Sequence, residues 1–355
     1  MPIIDRDTRR ISDAFTDIMK HQVFTISKSL GGLDNSVYYI HLSDTGNPQY
    51  VLKVIESKPD EQIQEAIILN NSLREFTKLN FHEDERGNYL HSSEHLDKKF
   101  VIMNFLSGRH PELSSSDDSQ AVALFAARLH NSMTREVVSP KELLQEEVNL
   151  ISTYYSGELV RSMERVEGEQ SMWYKKRASI YRSCNAILNN LLATRCSEFD
   201  AADYYITRGI THGDLNSGNM MIGEDNSLSF IDPDAIERDG FQISDVFHAV
   251  AKSDIVTNPE KTDEFFDSYL REKGDCNVSR EMLHTLLFCL SFRAALSTDY
   301  YTSGVGTIPK ISTEWVYDNA RDTLDKLSIT LRSSAKALGM NVVTRDNPET
   351  FHRDR

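Results

Sequence analysis

The stretch ITHGDLNSGNMMIGEDNSLSFIDPDAI, from Ile210 to Ile236, holds an aspartate, an asparagine five residues later and an Asp-Pro-Asp flanked by apolar residues. Two carboxylates and a carboxamide brought to one place form a hard oxygen site. Such a site suits a magnesium ion that keeps some waters and takes the rest of its shell from phosphates. Asn219 and Asp232 are the candidate ligands. Asp214, set apart from Asn219 by the short loop LNSG, can then face a substrate hydroxyl and accept its proton, so metal holding and proton acceptance fall to different side chains. His212 is read as a structural histidine bonded to backbone. Asp234 has two readings, a solvated turn carboxylate beside Pro233 or an extra metal or substrate contact.

Elements on both sides must position these groups. Up to about Leu106 the chain favours strands: VFTISKSL, SVYYIHL and YVLKVIE are short, β-branched and aromatic, and separated by Gly, Asn and Asp. PDEQIQEAIILNNSLREFTKL reads as a helix with Pro59 near its start, and NYLHS and KFVIMNFL return to strand. Beyond Gly108 helical patterns dominate, at 117–131, 141–165, 171–195, 243–253, 260–272, 279–297 and 312–338. Ser and Asp in SSSDDS, Ser114 to Ser119, are expected to cap the first of these through their side-chain oxygens. NMMIG and SLSFID are expected to pair as a hairpin through EDNS. An α+β chain with a strand-rich part, 1–106, and a helix-rich part, 107–355, is the outcome, organised as two lobes around a cleft, where ligands prefer to bind.

HGDLNSGNMMI followed by FIDPD resembles the catalytic and metal-binding segments of the aminoglycoside phosphotransferase and choline kinase superfamily, relatives of the protein kinases. The resemblance implies a bilobal protein-kinase-like fold and ATP- and Mg²⁺-dependent transfer of a γ-phosphoryl group to a small-molecule hydroxyl. Asp214 would accept the substrate proton, and Asn219 and Asp232 would hold the metal. Upstream, YVLKVIE resembles the strand bearing the phosphate-contacting lysine, here Lys53, and Glu65 in the following helix would pair with it. FVIMNFLSG resembles the hinge, so Met103, Asn104 and Phe105 would lie against adenine through backbone groups. Gly31, Gly32 and Ser36 in SLGGLDNSVYYI are the candidate phosphate-loop contacts. ALFAARLHNSM resembles the first large-lobe helix ending in Leu-His, and Asp245 in ISDVFHAV would anchor the catalytic loop.

Two features depart from the protein kinases. Pro233 stands where they place the Phe of Asp-Phe-Gly, and there is no Ala-Pro-Glu element. The proline argues against protein-kinase-style switching of that segment, and the missing element favours a small acceptor over a protein. Amino sugars or aminoglycosides, choline-like alcohols and sugars all suit the family, and a formal net charge of −15 leans towards a cationic acceptor. Modification of a protein side chain, or a nucleotide-binding pseudokinase scaffold, is the alternative; intact Lys53, Asp214, Asn219 and Asp232 argue against the scaffold.

The same acidity argues against a nucleic-acid partner, which needs clustered Lys and Arg. No run of eighteen apolar residues occurs, and the start MPIIDRDTRRISDAF lacks an apolar signal region, so no membrane partner and a cytoplasmic location are expected. Cys184, Cys196, Cys276 and Cys289 form no CxxC pair and are expected to be reduced. Arg293 interrupts the apolar helix LLFCLSFRAALS and needs a partner, either an internal carboxylate or an anionic substrate group. Trp315 and Tyr317 sit in a late helix and are read as core, with the acceptor pocket that the resemblance implies for late helices as the alternative.

Overall fold

β-branched and aromatic runs near the start of the chain pair into an antiparallel sheet, β1 (Thr25–Lys28), β2 (Asn35–His41), β3 (Tyr50–Ile55), β4 (His91–Ser93) and β5 (Leu96–Asn104), in the order β1-β2-β3-β5-β4. These come from a computed structural model, which describes residues 6–29, 35–43, 46–56, 58–155, 160, 163 and 171–302. Gly31, Gly32, Trp315 and Tyr317 lie outside the described residues.

Helices cover both faces of this sheet, as strand periodicity requires. Leu52, Val54, Phe100 and Ile102 point to one side and join Ile11, Ala14 and Phe15 of α1 (Arg6–Met19) in a buried cluster. That helix was not anticipated, although Ile11, Ala14, Phe15 and Ile18 carry the i, i+3, i+4, i+7 spacing of an amphipathic helix. Val101 and Met103 point to the other side and pack with Ile63 and Ile67 of α2 (Asp60–Ser72). Lys53 pairs in register with Val101, so it shares the face that α2 covers.

The chain divides into two compact units. The first gathers Met1–Glu136, Arg208–Ala249 and Arg271–Lys273. Besides the sheet and α1 and α2, it holds α3 (Ser116–Ser132), β8 (Met220–Ile222) and β9 (Leu228–Phe230). It also holds most of β6 (Thr134–Val138), β7 (Ile206–Thr211) and α6 (Gln242–Ala251), and all of β10 (Glu237–Phe241). The expected hairpin forms as β8 and β9, with Met220 opposite Phe230 and Ile222 opposite Leu228. The three-stranded sheet β10-β7-β6 was not foreseen, because its segments TREVV, ITRGIT and ERDGF are short and broken by charge and glycine. The cap of α3 also differs from expectation: Ser115 makes no side-chain cap bond, and Asp118 instead accepts from Arg109 at 2.5 and 2.8 Å.

The second unit comprises Val137–Thr207, Val250–Leu270 and Gly274–Arg355. It contains α4 (Pro140–Tyr154), α5 (Ser171–Arg195), α8 (Arg280–Thr302) and most of α7 (Pro259–Lys273). Ser139 caps α4 by accepting from the Lys141 amide. Tyr181 of α5 packs on Phe292 of α8 with ring centroids 5.9 Å apart and donates to the Ala295 carbonyl at 3.1 Å. Arg293 finds an internal carboxylate: its Nε donates to Glu147 Oε2 at 2.6 Å, and Glu147 is buried. Arg293→Ala is expected to leave that carboxylate stranded and to cost ~2–4 kcal/mol in urea unfolding. Replacing both residues by leucine should recover most of the loss. The four cysteines are free, and no helix among the described residues is long and apolar enough to cross a membrane.

Candidate active site

Two strand pairs clamp the motif at both ends. β7 stops at Thr211, one residue before the His-Gly-Asp, and β10 starts at Glu237, just after the Asp-Pro-Asp turn; the two residues are register partners. At the other end Met220 pairs with Phe230, and the Ile231 amide donates to the Asn219 carbonyl at 2.8 Å. Residues 212–219 and 231–236 are therefore held against each other. Gly213 marks the closest approach: its φ is +78°, and a Cβ there would lie 2.1 Å from the Ala235 carbonyl oxygen. Only glycine meets both demands.

Asp245 anchors the loop, as expected. It is fully buried and accepts from the His212 amide at 2.7 Å, the Gly213 amide at 2.8 Å and His130 Nε2 at 3.1 Å. Burial pushes this carboxyl up, but the bond and charge of His130, with help from His212, outweigh it and hold the group below the usual carboxylate range. His130 is the His of the Leu-His that ends α3. His212 is structural: its Nε2 lies 2.9 Å from the Ile231 carbonyl, and its ring meets Phe230 edge-on.

Asp214 sits at the open end of this scaffold with 35% of its side chain exposed. Asn219 Nδ2 donates to both its carbonyl, at 2.9 Å, and its Oδ2, at 3.1 Å. The carboxamide nitrogen is thus spent on the loop, which turns Asn219 Oδ1 to other partners. His248 Nδ1 lies 3.6 Å from Asp214 Oδ1. The sequence reading missed His248, although its position three residues after Asp245 on one helix puts both on the same face.

Asp232 is held in the left-handed region, φ 56° and ψ 64°, and Pro233 then opens a single 3₁₀ turn through Ala235. A non-glycine residue there stores of order 1–2 kcal/mol of strain, the kind found where a side chain must be aimed. Lys53 Nζ meets Asp232 Oδ1 at 2.5 Å and Asp234 Oδ2 at 2.7 Å. Burial alone would depress the Lys53 amine, but the two aspartates outweigh it and raise its pKa. Asp232 is correspondingly pushed up by burial and brought below the carboxylate range by Lys53.

Several expected contacts take another form. Glu65 does not meet Lys53; it accepts from Arg238 Nε at 2.9 Å, because α2 buries Ile63, Ala66, Ile67 and Asn70 and turns Glu65 outward. Asp234 is not a solvated turn carboxylate: it is largely buried and, like Asp232, ion-paired to Lys53. At the hinge, the Asn104 amide donates to the Asn80 carbonyl at 3.1 Å and the Phe105 amide to Gln49 at 2.9 Å. Those two donors are already spent, and Met103 is engaged with Val51 in the ladder, which leaves the carbonyls of Asn104 and Phe105 and the amide of Leu106 for a base. The Ser36 hydroxyl donates to Glu56 Oε1 at 3.2 Å.

The donor set fits a hard divalent cation. Among the described residues no group of three His, Cys, Asp or Glu side chains gathers to hold a metal. Two protein oxygens, from Asn219 and Asp232, match an ion that completes its shell with phosphate and water.

A phosphotransferase enzyme family model, termed APH, matches residues 25–239. No curated protein sequence matches the chain significantly. Similar solved structures include a spectinomycin phosphotransferase in complex with ADP and spectinomycin, 13% identical, covering 91% of this chain and 98% of that one with a TM-score of 0.57. An aminoglycoside phosphotransferase from Alicyclobacillus acidocaldarius is 11% identical over 91% and 96%, with a TM-score of 0.55. The choline kinase LicA from Streptococcus pneumoniae is 16% identical over 89% and 98%, with a TM-score of 0.52. What these share with the chain is the α+β protein-kinase-like fold expected from its motifs.

Proposed function

The chain belongs to the phosphotransferase enzyme family, and from that premise we propose that it transfers the γ-phosphoryl group of ATP to a hydroxyl of a small molecule. One observation carries the reading most: Asp214, Asn219 and Asp232 lie on a loop and turn held together at both ends, Lys53 on β3 meets Asp232 at 2.5 Å, and all four lie within the first unit. A structural role alone would not explain a half-exposed Asp232 held in a strained conformation beside a buried lysine.

In this reading Lys53 orients the α- and β-phosphates, and the hinge carbonyls with the Leu106 amide take the adenine. Gly31, Gly32 and Ser36 are proposed to approach the phosphates. Asn219 and Asp232 would hold Mg²⁺, which when bound neutralises charge on the phosphate oxygens. Asp214 receives the proton of the acceptor hydroxyl as its oxygen bonds to the γ-phosphorus and the bond to ADP breaks. Residues 1–106 serve as the nucleotide lobe and 107–355 as the catalytic and acceptor lobe. The acceptor is an amino sugar or aminoglycoside, a choline-like alcohol or a sugar, with the acidic charge balance favouring a cation. We place the reaction in the cytoplasm, with no nucleic-acid or membrane partner.

A coupled ADP-release assay with magnesium and ATP, over aminoglycosides, choline, ethanolamine, amino sugars and neutral sugars, tests the reading. Stimulation by one acceptor class is the expected result. ATP binding without stimulation by any of them would turn the search to protein acceptors, and failure to bind ATP would end the proposal.

A further inference from the structure

The Lys53 amine is held by two aspartates from one turn and by no acid of α2. We infer that Asp234, supported by Asn35 and Lys58, is the positioning residue for Lys53 when nucleotide is bound, and that Glu65 has no part in it. The inference rests on reading the site as a nucleotide site.

The two carboxylates are not equivalent. Asp232 is 46% exposed, and its proposed role is to offer oxygen to a cation, for which a lysine ammonium competes. A group with that role cannot also be the lasting partner of Lys53. Asp234 is only 15% exposed. The Oδ2 that meets Lys53 also accepts from Asn35 Nδ2 at 2.9 Å, and the Asp234 carbonyl accepts from Lys58 Nζ at 2.9 Å. Asn35 is itself fixed, because its Oδ1 accepts from the Glu56 amide at 3.1 Å. The Asn35 bond restricts the Asp234 side chain and the Lys58 bond steadies its backbone, so its carboxylate is preset before any ligand arrives.

Glu65 is in the opposite situation. It is 56% exposed and engaged with Arg238, and an exposed pair of that kind contributes little and exchanges readily. The turn that carries Asp232 thus also carries the clamp on Lys53, two residues further on. Assembly of the phosphate-binding lysine then depends on the register of that turn, against which α2 packs, and not on a carboxylate of α2.

The test uses the full chain and three variants, Asp234→Asn, Asp234→Ala and Glu65→Ala, with Asp234→Glu as a fourth, conservative one for rescue. Calorimetry gives the Kd for Mg·ATP, steady-state kinetics separates KM for ATP from kcat, and peptide mass spectrometry follows acylation of Lys53 by an N-hydroxysuccinimide ester without nucleotide. Loss of a charged hydrogen-bond partner should raise Kd and KM for ATP about tenfold or more in both Asp234 variants. Lys53 should acylate faster in both, having lost an acceptor that shields it, while Glu65→Ala stays within about twofold of the unmutated chain in every readout. Asp234→Glu should restore part of the loss, which a change in folding alone would not. The near-isosteric Asp234→Asn carries the comparison if the alanine variant does not fold. Unchanged acylation and ATP affinity in Asp234→Asn, or an equal loss in Glu65→Ala, would overturn the inference. If the unmutated chain binds no ATP, the functional reading fails, and the acylation rates still decide whether Asp234 holds Lys53.

Discussion

Asp214→Ala is expected to lower kcat by about 10²–10⁴-fold, the range for loss of a positioned proton acceptor, while the Kd for ATP stays within about twofold. The reason for the split lies in Asn219. Its Nδ2 donates to the Asp214 carbonyl as well as to the carboxylate, so truncation of the side chain leaves one of the two bonds that shape the loop. The Ile231 amide bond to Asn219 and the Asp245 bonds to the His212 and Gly213 amides are also untouched. Asp214→Asn should be nearly as slow as the alanine variant, because a carboxamide keeps the shape and cannot take the proton. Rapid-quench measurement of single turnovers, paired with calorimetric ATP binding, checks both halves. Near-normal turnover in either variant would remove Asp214 from the mechanism.

Asp245→Ala should act on stability first and on activity through it. The substitution strands three donors in a place without water, the His212 and Gly213 amides and His130 Nε2. Breaking a buried charged network of this kind costs ~3–5 kcal/mol, a large share of the ~5–15 kcal/mol that holds a typical protein folded. Asp245→Asn, which keeps one acceptor oxygen, should lose less. The pH dependence has a definite sign. The folded-state pKa of Asp245 is depressed, so its contribution is fully present above the unfolded carboxylate value of about 3.9 and is lost as pH falls through the lower folded value. Urea midpoints should therefore decline on acidification below about pH 4 in the unmutated chain. In Asp245→Ala that decline should be shallower. Equal slopes for the two would mean that Asp245 is not the group whose protonation loosens the loop.

Much of the site was legible because its chemical groups lie within one short stretch. Asp214, Asn219 and Asp232 fall on a loop, the 3₁₀ turn that ends it and a second turn, whose order is set by local hydrogen bonds, so linear spacing carries their proposed roles. The hairpin of β8 and β9 and helices α3, α5, α6, α7 and α8 were likewise visible as periodicity and turn residues, and so was Asp245 as an anchor. α1 was legible too, through its apolar spacing, but that stretch was read only for a targeting signal. Strands β6, β7 and β10 were hidden, since short polar segments become strands only when partners supply their hydrogen bonds.

What the sequence determined by itself, then, is the set of candidate reacting groups and the elements that bear them. The tertiary structure alone decided who meets whom. Strand alternation sends Lys53 to the α2 side of the sheet, yet the rotation of that helix about its axis, fixed by burial of Ile63, Ala66 and Ile67, turns Glu65 away towards Arg238. The amine is then satisfied by Asp232 and Asp234, far along the chain, and Arg293 by Glu147. The hinge amides of Asn104 and Phe105 are spent on Asn80 and Gln49 in the same way. Spacing along a chain encodes which face of an element a side chain takes, but the partner of a buried charge is set by the packing of elements distant in sequence, which only the assembled fold supplies.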